Sequence, residues 1–199
     1  MGAEAAAPHA LVLCGSPRGA GRCARLAEAL CDELAARGAR PTCWKLSERP
    51  IAPCTGCGSC STTGSCVQHD EAWQQLEGLL AGADAVFVVA PLYFAGAPAQ
   101  LKAALDRCQV FWARRYVLGQ AMPPARPAHV LIVGESEGGG HFGASPLVTE
   151  LTSALNNCNA RITPATTYDF TAHAYDLGRI GPLVEQALAA CTARAGEGA

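Results

Sequence analysis

The sequence predicts a doubly wound α/β fold: a five-stranded parallel sheet with helices on both faces. Three observations carry this. Apolar runs of strand length, HALVLC, ADAVFVVA and AHVLIVG, show no polar alternation, as in strands buried on both faces. Segments of helical periodicity separate them. The first run leads at once into a glycine-rich turn and a helix, the start of a nucleotide-type βα unit.

The elements follow in order. His9 to Cys14 is the first strand. After a loop from Gly15 to Gly21, a helix runs to about Arg37, with Leu26, Ala29, Leu30 and Leu34 on one face and Gly38 as its stop. Pro41 to Leu46 is the second strand, and residues 47–69 form a long cysteine-rich loop. Asp70 is the N-cap of a helix reaching about Ala81, and Glu71 adds favourable charge to its first turn. Ala83 to Ala90 is the third strand. From Ala97 or Pro98 a helix runs at least to Cys108, with a continuation toward Tyr116. Residues 118–127 are proline-rich and irregular, and Ala128 to Gly134 is the fourth strand. A glycine-rich loop, 135–145, precedes a helix over Pro146–Asn157. Ala160 to Tyr168 is a weaker fifth strand, with Pro164 marking an edge or irregular position. The last helix spans about Leu177 to Ala193. Strands and helices alternate five times without a solenoid repeat, which is the flavodoxin type of sheet, order 2-1-3-4-5.

Length and composition bound the reading. The chain has 199 residues, half of them hydrophobic and 16% charged, so it is globular and not disordered. One domain is expected over 1–199, with soft tails at 1–8 and 194–199. A net charge of −2 without a basic block excludes nucleic-acid binding by charge alone. No apolar run approaches a membrane span, and residues 2–8 lack the apolar core of a secretory signal; a soluble, cytoplasmic protein is expected. Eleven cysteines in such a chain suggest reduced thiols and a metal site. Seven of them are scattered and read mainly as buried packing residues.

The other four are concentrated. Cys54, Cys57, Cys60 and Cys66 form C-x2-C-x2-C-x5-C in a Gly/Ser/Thr-rich loop that has no core of its own. Three cysteines spaced by three with a fourth nearby is a local pattern of iron–sulfur ligation, and Gly56, Gly58 and Gly64 allow the sharp turns such a loop needs. One self-contained 4Fe–4S site is the economical reading. Structural zinc, a disulfide pair and a metal-free loop are the alternatives.

In sheets of this type ligands bind beyond the carboxyl ends of the strands, at the switch point between strands 1 and 3. The loops 15–22, 91–97 and 134–143 meet there. The first is the phosphate candidate: Ser16 offers a hydroxyl, Arg18 a guanidinium fork, and the following helix its positive end. It is neither a Walker loop nor G-x-G-x-x-G, so a phosphate monoester such as that of FMN fits better than a nucleoside triphosphate or a dinucleotide. The plain alternative is an ordinary connecting turn. Tyr93 and Phe94 present aromatic faces for a flat ring, the alternative being that Phe94 packs in the core. Glu135, three glycines and His141 occupy the third loop. His141 is a candidate proton donor, against the commoner role of an exposed loop histidine.

Three segments, LVLCGSPRGAGRCARL, the cysteine loop and APLYFAGAPAQLKAALDR, together resemble the iron–sulfur flavoprotein branch of the NAD(P)H-dependent FMN reductase superfamily, over roughly residues 10–165. The resemblance implies an FMN whose phosphate is held by Ser16, Arg18 and the turn of Gly21, Arg22 and Cys23. It implies ring contacts from Pro91, Leu92, Tyr93 and Phe94 and from the 134–138 loop through Gly134, Glu135 and Gly138. It implies a 4Fe–4S cluster on the four loop cysteines, NAD(P)H as an electron donor, and a homodimer or homotetramer. Where relatives usually carry Asn-Thr, this chain has Arg22–Cys23, which exchanges a neutral donor for a charge-assisted one. Flavin and cluster together would convert two-electron chemistry on a small organic substrate into one-electron transfer, to ferredoxin or another carrier. The group includes a dehydrogenase of 2-amino-4-deoxychorismate, whose anionic substrate would want basic residues such as Arg107, Arg114 and Arg115 at the site mouth, the alternative being that these form a solvated helix face. Two further readings remain: a cluster-free NAD(P)H-dependent FMN or quinone reductase, and a zinc-stabilised flavodoxin-like redox-sensing or binding module.

Overall fold

The computed structural model describes residues 6–134, 143–163, 167–170 and 176–197, the last six of these as backbone only. The elements are β1 (His9–Cys14), α1 (Arg22–Ala36), β2 (Arg40–Lys45), α2 (Cys60–Thr63), α3 (Glu71–Gly82), β3 (Ala85–Pro91), α4 (Ala99–Arg107), α5 (Gln109–Trp112), β4 (Arg126–Val133), α6 (Ser145–Asn157), β5 (Ala160–Arg161), β6 (Thr167–Asp169) and α7 (Ile180–Glu197). The strands pair in parallel in the order β2-β1-β3-β4-β5, and β6 also pairs with β4.

The alternating side chains of the central strands divide the interior. Leu11, Leu13, Val86, Val88 and Ala90 face a core completed by α3, α4, α5 and α6, which contains Trp73, Leu101, Phe111 and Leu151. Ala10, Val12, Phe87 and Val89 face a second core under α1 and α7, with Leu26, Leu30, Leu34 and Val184. Both faces of β1 and β3 are therefore apolar, which is why these strands read as continuous runs. Five of the scattered cysteines are buried, while Cys31 and Cys43 are half-buried.

The expected fifth strand is corrected. Ala160–Arg161 pairs with Arg126–Pro127, whereas Thr167–Asp169 pairs with Val130–Ile132, so two short strands share the β4 edge. A proline between the two pieces cannot donate to a ladder, which disfavours one continuous strand. The helix after β3 is longer than one element: α4 and α5 meet at Cys108, and a π-helical turn over Ala113–Val117 closes the run. Among the described residues no helix is long and apolar enough to cross a membrane.

Candidate functional site

β1 ends at Cys14 and the chain turns at Gly15, whose amide donates to Val89 O (2.8 Å). A side chain here is impossible without movement, since a Cβ would lie 2.7 Å from Leu101 Cδ2. The close approach of α4 thus fixes where the loop begins. Ser16 is buried, and its Oγ accepts the Arg18 amide at 3.1 Å, folding the loop back on itself. Among the described residues no side chain caps α1. The first turn of the helix therefore points amides of partial positive charge into the space in front of it. That space is a cavity of about 310 Å³. Ser16, Arg18, Gly21, Arg22 and Cys23 line it from below, with Ala20. Pro91, Leu92, Tyr93, Val133 and Gly134 line it from the ends of β3 and β4. Burial pushes the Cys23 thiol up to about 12, with Cys14 adding to the rise and Arg18 and Arg22 opposing it. Cys23 is a neutral wall of this cavity.

Phe94 is not in the core, nor does it line the cavity. It is fully exposed, at 107% of its reference area. Tyr93 and Gly96 exchange both backbone hydrogen bonds (3.1 and 2.9 Å). The two residues between them, Phe94 and Ala95, have φ of 49° and 64°. This is the left-handed geometry of a tight hairpin turn, which normally takes Asn or Gly. Glu150 of α6 holds the turn by accepting the Ala97 amide at 3.1 Å. Of the expected third-loop residues, Gly134 is in the cavity, while Glu135, Gly138 and His141 lie outside the described residues.

A second cavity, of about 370 Å³, is lined by Cys54, Cys57, Cys60 and Cys66 together. The loop reaches it through left-handed turns at Gly56, Gly58 and Gly64 (φ 65°, 76° and 70°). The Gly56 amide donates to Cys54 Sγ at 3.4 Å. The contact of Cys57 Sγ with Ser59 Oγ (3.5 Å) holds the Cys57 thiol below its ordinary value. Burial raises Cys60, and the other three loop cysteines add to the rise. Among the described residues no three His, Cys, Asp or Glu side chains converge on a single metal position. Donor type, donor number and cavity fit a cluster, and the loop would have to draw in around it.

The opposite wall carries a residue that the sequence offered only as a cation at a site mouth. Arg107, at the end of α4, is 2% exposed and lines this cavity with Asp106, Gln109 and Val110. Its Nη1 donates to Ala52 O (3.0 Å) and to Asp70 Oδ2 (3.4 Å), and its guanidinium lies over the Trp73 ring at 5.2 Å. Asp70 caps α3 through the Trp73 amide (3.0 Å), as expected, and also accepts the Ala52 amide at 3.0 Å. Ala52, Asp70 and Arg107 thereby tie the two ends of the cysteine loop. Arg114 and Arg115 are also engaged. Arg114 donates to Gly64 O (2.6 Å) and Glu77 (2.5 Å), and Arg115 to Asn156 O (3.2 Å). Arg114 and Arg115 are thus taken up by acceptors of the protein itself.

Fold and cavity together define the class: a flavodoxin-like protein with an anion-ready βα loop at the switch point of its sheet. Residues 8–173 match the family model of NADPH-dependent FMN reductases, and the chain belongs to that family. Within it the chain aligns with proteins named iron–sulfur flavoprotein. One from Archaeoglobus fulgidus is 33% identical over 56% of this chain and 50% of its own length. One from Methanosarcina thermophila is 33% identical over 63% of each. The chain thus spans about half to two thirds of these relatives. Among solved structures, an NAD(P)H:quinone oxidoreductase from Methanothermobacter marburgensis superposes with a TM-score of 0.71 at 18% identity, covering 90% of this chain and 95% of that one, a likeness of fold.

Proposed function

We propose that this chain is an FMN-dependent oxidoreductase carrying a 4Fe–4S cluster, which couples two-electron chemistry on a small organic substrate to one-electron transfer. The carrying observation is that all four cysteines of C-x2-C-x2-C-x5-C line one cavity. The names of the aligned relatives support the same assignment. When bound, the flavin supplies hydride or two-electron exchange and the cluster single-electron steps. The chain's own part is placement. Ser16, Arg18 and the start of α1 receive a phosphate, Tyr93 and Pro91 flank the ring, and the cysteine loop ligates iron. The two cavities share no lining residue. A homodimer or homotetramer in which neighbouring subunits bring flavin and cluster together fits that separation. NAD(P)H is the proposed donor on the family's name, and ferredoxin or a similar carrier the one-electron partner. A 2-amino-4-deoxychorismate-type substrate is the most specific version of this reading.

The test is anaerobic purification with iron, sulfide, zinc and FMN measured per chain. About four irons and one FMN, the content of one cubane cluster and one flavin, are expected. A Cys57→Ser chain should lose most of the iron and keep the FMN. A second reading, a cluster-free NAD(P)H-dependent FMN or quinone reductase, is favoured by the lack of converged ligands among the described residues. FMN without iron after anaerobic reconstitution would establish it. One zinc per chain without flavin would instead identify a zinc-stabilised binding or redox-sensing module.

A further inference from the structure

The cavity of the four cysteines has one charged wall, and that wall is incompletely hydrogen-bonded. Arg107 is 2% exposed, yet among the described residues only its Nη1 has partners. Its Nε and Nη2 are buried and have no hydrogen-bond partner among the described residues. Buried guanidinium nitrogens left unpaired are costly, so such groups are rare unless something absent from the protein itself completes them. Arg107 cannot swing away to water. Asp70 and Ala52 hold one nitrogen, and the Trp73 ring covers the guanidinium. The void it borders is the one that the thiols border.

We infer that Arg107 is the built-in counter-charge of the iron–sulfur centre, a fixed guanidinium in the wall of its cavity that raises the cluster's reduction potential. This rests on the cluster reading above. A cluster held by four thiolates is a net anion and gains a further negative charge on reduction. Its potential follows net charge and hydrogen bonds to sulfur. A fixed cation in its wall favours the reduced state, and a guanidinium offers a rigid set of donors for the purpose. Asp70 pairs with Nη1 and offsets part of that charge, so the pair sets the potential between two limits.

The experiment is an anaerobic spectroelectrochemical titration of the reconstituted full chain, with iron per chain measured for every variant. Arg107→Gln should lower the cluster's midpoint potential, shifting the one-electron equilibrium about tenfold, ~59 mV. Asp70→Asn keeps a capping acceptor but removes the carboxylate, and should raise the potential. Arg107→Lys should restore most of the wild-type value. Glu71→Gln, an equal change of charge at an exposed neighbour, should move it least. A merely structural Arg107 would not give shifts of opposite sign. If Arg107→Gln fails to fold, the Asp70→Asn and Arg107→Lys chains still decide. Iron-loaded variants with unchanged potentials overturn the inference while leaving the cluster standing. Absence of iron from the wild-type chain overturns both.

Discussion

His129 shows what a single buried residue costs this fold. It is 1% exposed on β4, stacked on Phe87 (4.9 Å between centroids) and on Tyr168 (6.0 Å). Among the described residues neither ring nitrogen has a hydrogen-bond partner. Burial drives its pKa down to about 4 from 6.5. The sign follows from linkage. Below pH 6.5 the unfolded chain takes up a proton that the folded chain refuses, so stability falls with pH until about 4. The loss is about 3–4 kcal/mol at most, at roughly 1.4 kcal/mol for each tenfold fall in proton affinity. His129→Leu should flatten this limb of a urea-unfolding series between pH 6.5 and 4. An unchanged pH dependence would mean that other groups dominate it. Ala95 tests a different cost. Its φ of 64° disfavours a side chain, and Ala95→Gly should stabilise by about 1 kcal/mol, the usual penalty of a left-handed residue. Cys43 belongs at this scale too. Its hydrogen bond with Cys31 favours the thiolate on Cys43, aided by Lys45 and opposed by burial. Mass-mapped alkylation at neutral pH should label Cys43 ahead of Cys31.

At the scale of elements, Asp70 carries more than its helix. It caps α3, closes the neck of the cysteine loop through Ala52 and pairs with Arg107. Asp70→Ala should cost about 1 kcal/mol for the cap. Leaving Arg107 buried without its carboxylate adds a loss of about 3 kcal/mol. A denaturation midpoint no lower than that expected for a cap alone would show that the loop neck contributes nothing. The cap was legible because Asp followed by Glu before an apolar helical face is a local signal. The neck was not, since Ala52 and Arg107 are 55 residues apart and nothing local joins them. The same contrast runs through the sheet. β1 and β3 declared themselves because both of their faces are apolar. The split into β5 and β6 depends on how the chain after α6 settles along β4, which Pro164 hinted at but did not define. Phe94 was ambiguous for a related reason. An aromatic after a buried strand suits the core or the surface equally, and only the two-residue turn held by Glu150 sends it outward.

The whole molecule brings chemically different cavities to its loops, and the flavin side is testable without the cluster. A ligand that binds only the folded chain stabilises it by mass action, about 2.7 kcal/mol at a hundred times its Kd. For a chain of 199 residues, each kcal/mol is worth roughly 2–4 °C in Tm. Saturating FMN should therefore raise the Tm of apoprotein by roughly 5–10 °C, from the midpoint change per kcal/mol just used. Arg18 is exposed at the cavity rim while Ser16 is buried beneath it, so the two substitutions separate binding from folding. Arg18→Ala should cut FMN affinity about tenfold to a hundredfold, the worth of a charge-assisted hydrogen bond, and lower the apoprotein Tm less than Ser16→Ala does. Ser16→Ala should lower both, because its Oγ also accepts the Arg18 amide that shapes the loop. Riboflavin, which has the ring but not the phosphate, should raise the Tm far less than FMN in the wild-type chain and about equally in wild type and Arg18→Ala. Equal increases with FMN and riboflavin would move the phosphate away from this loop. The start of α1 would then be left as a plain connection between β1 and its helix.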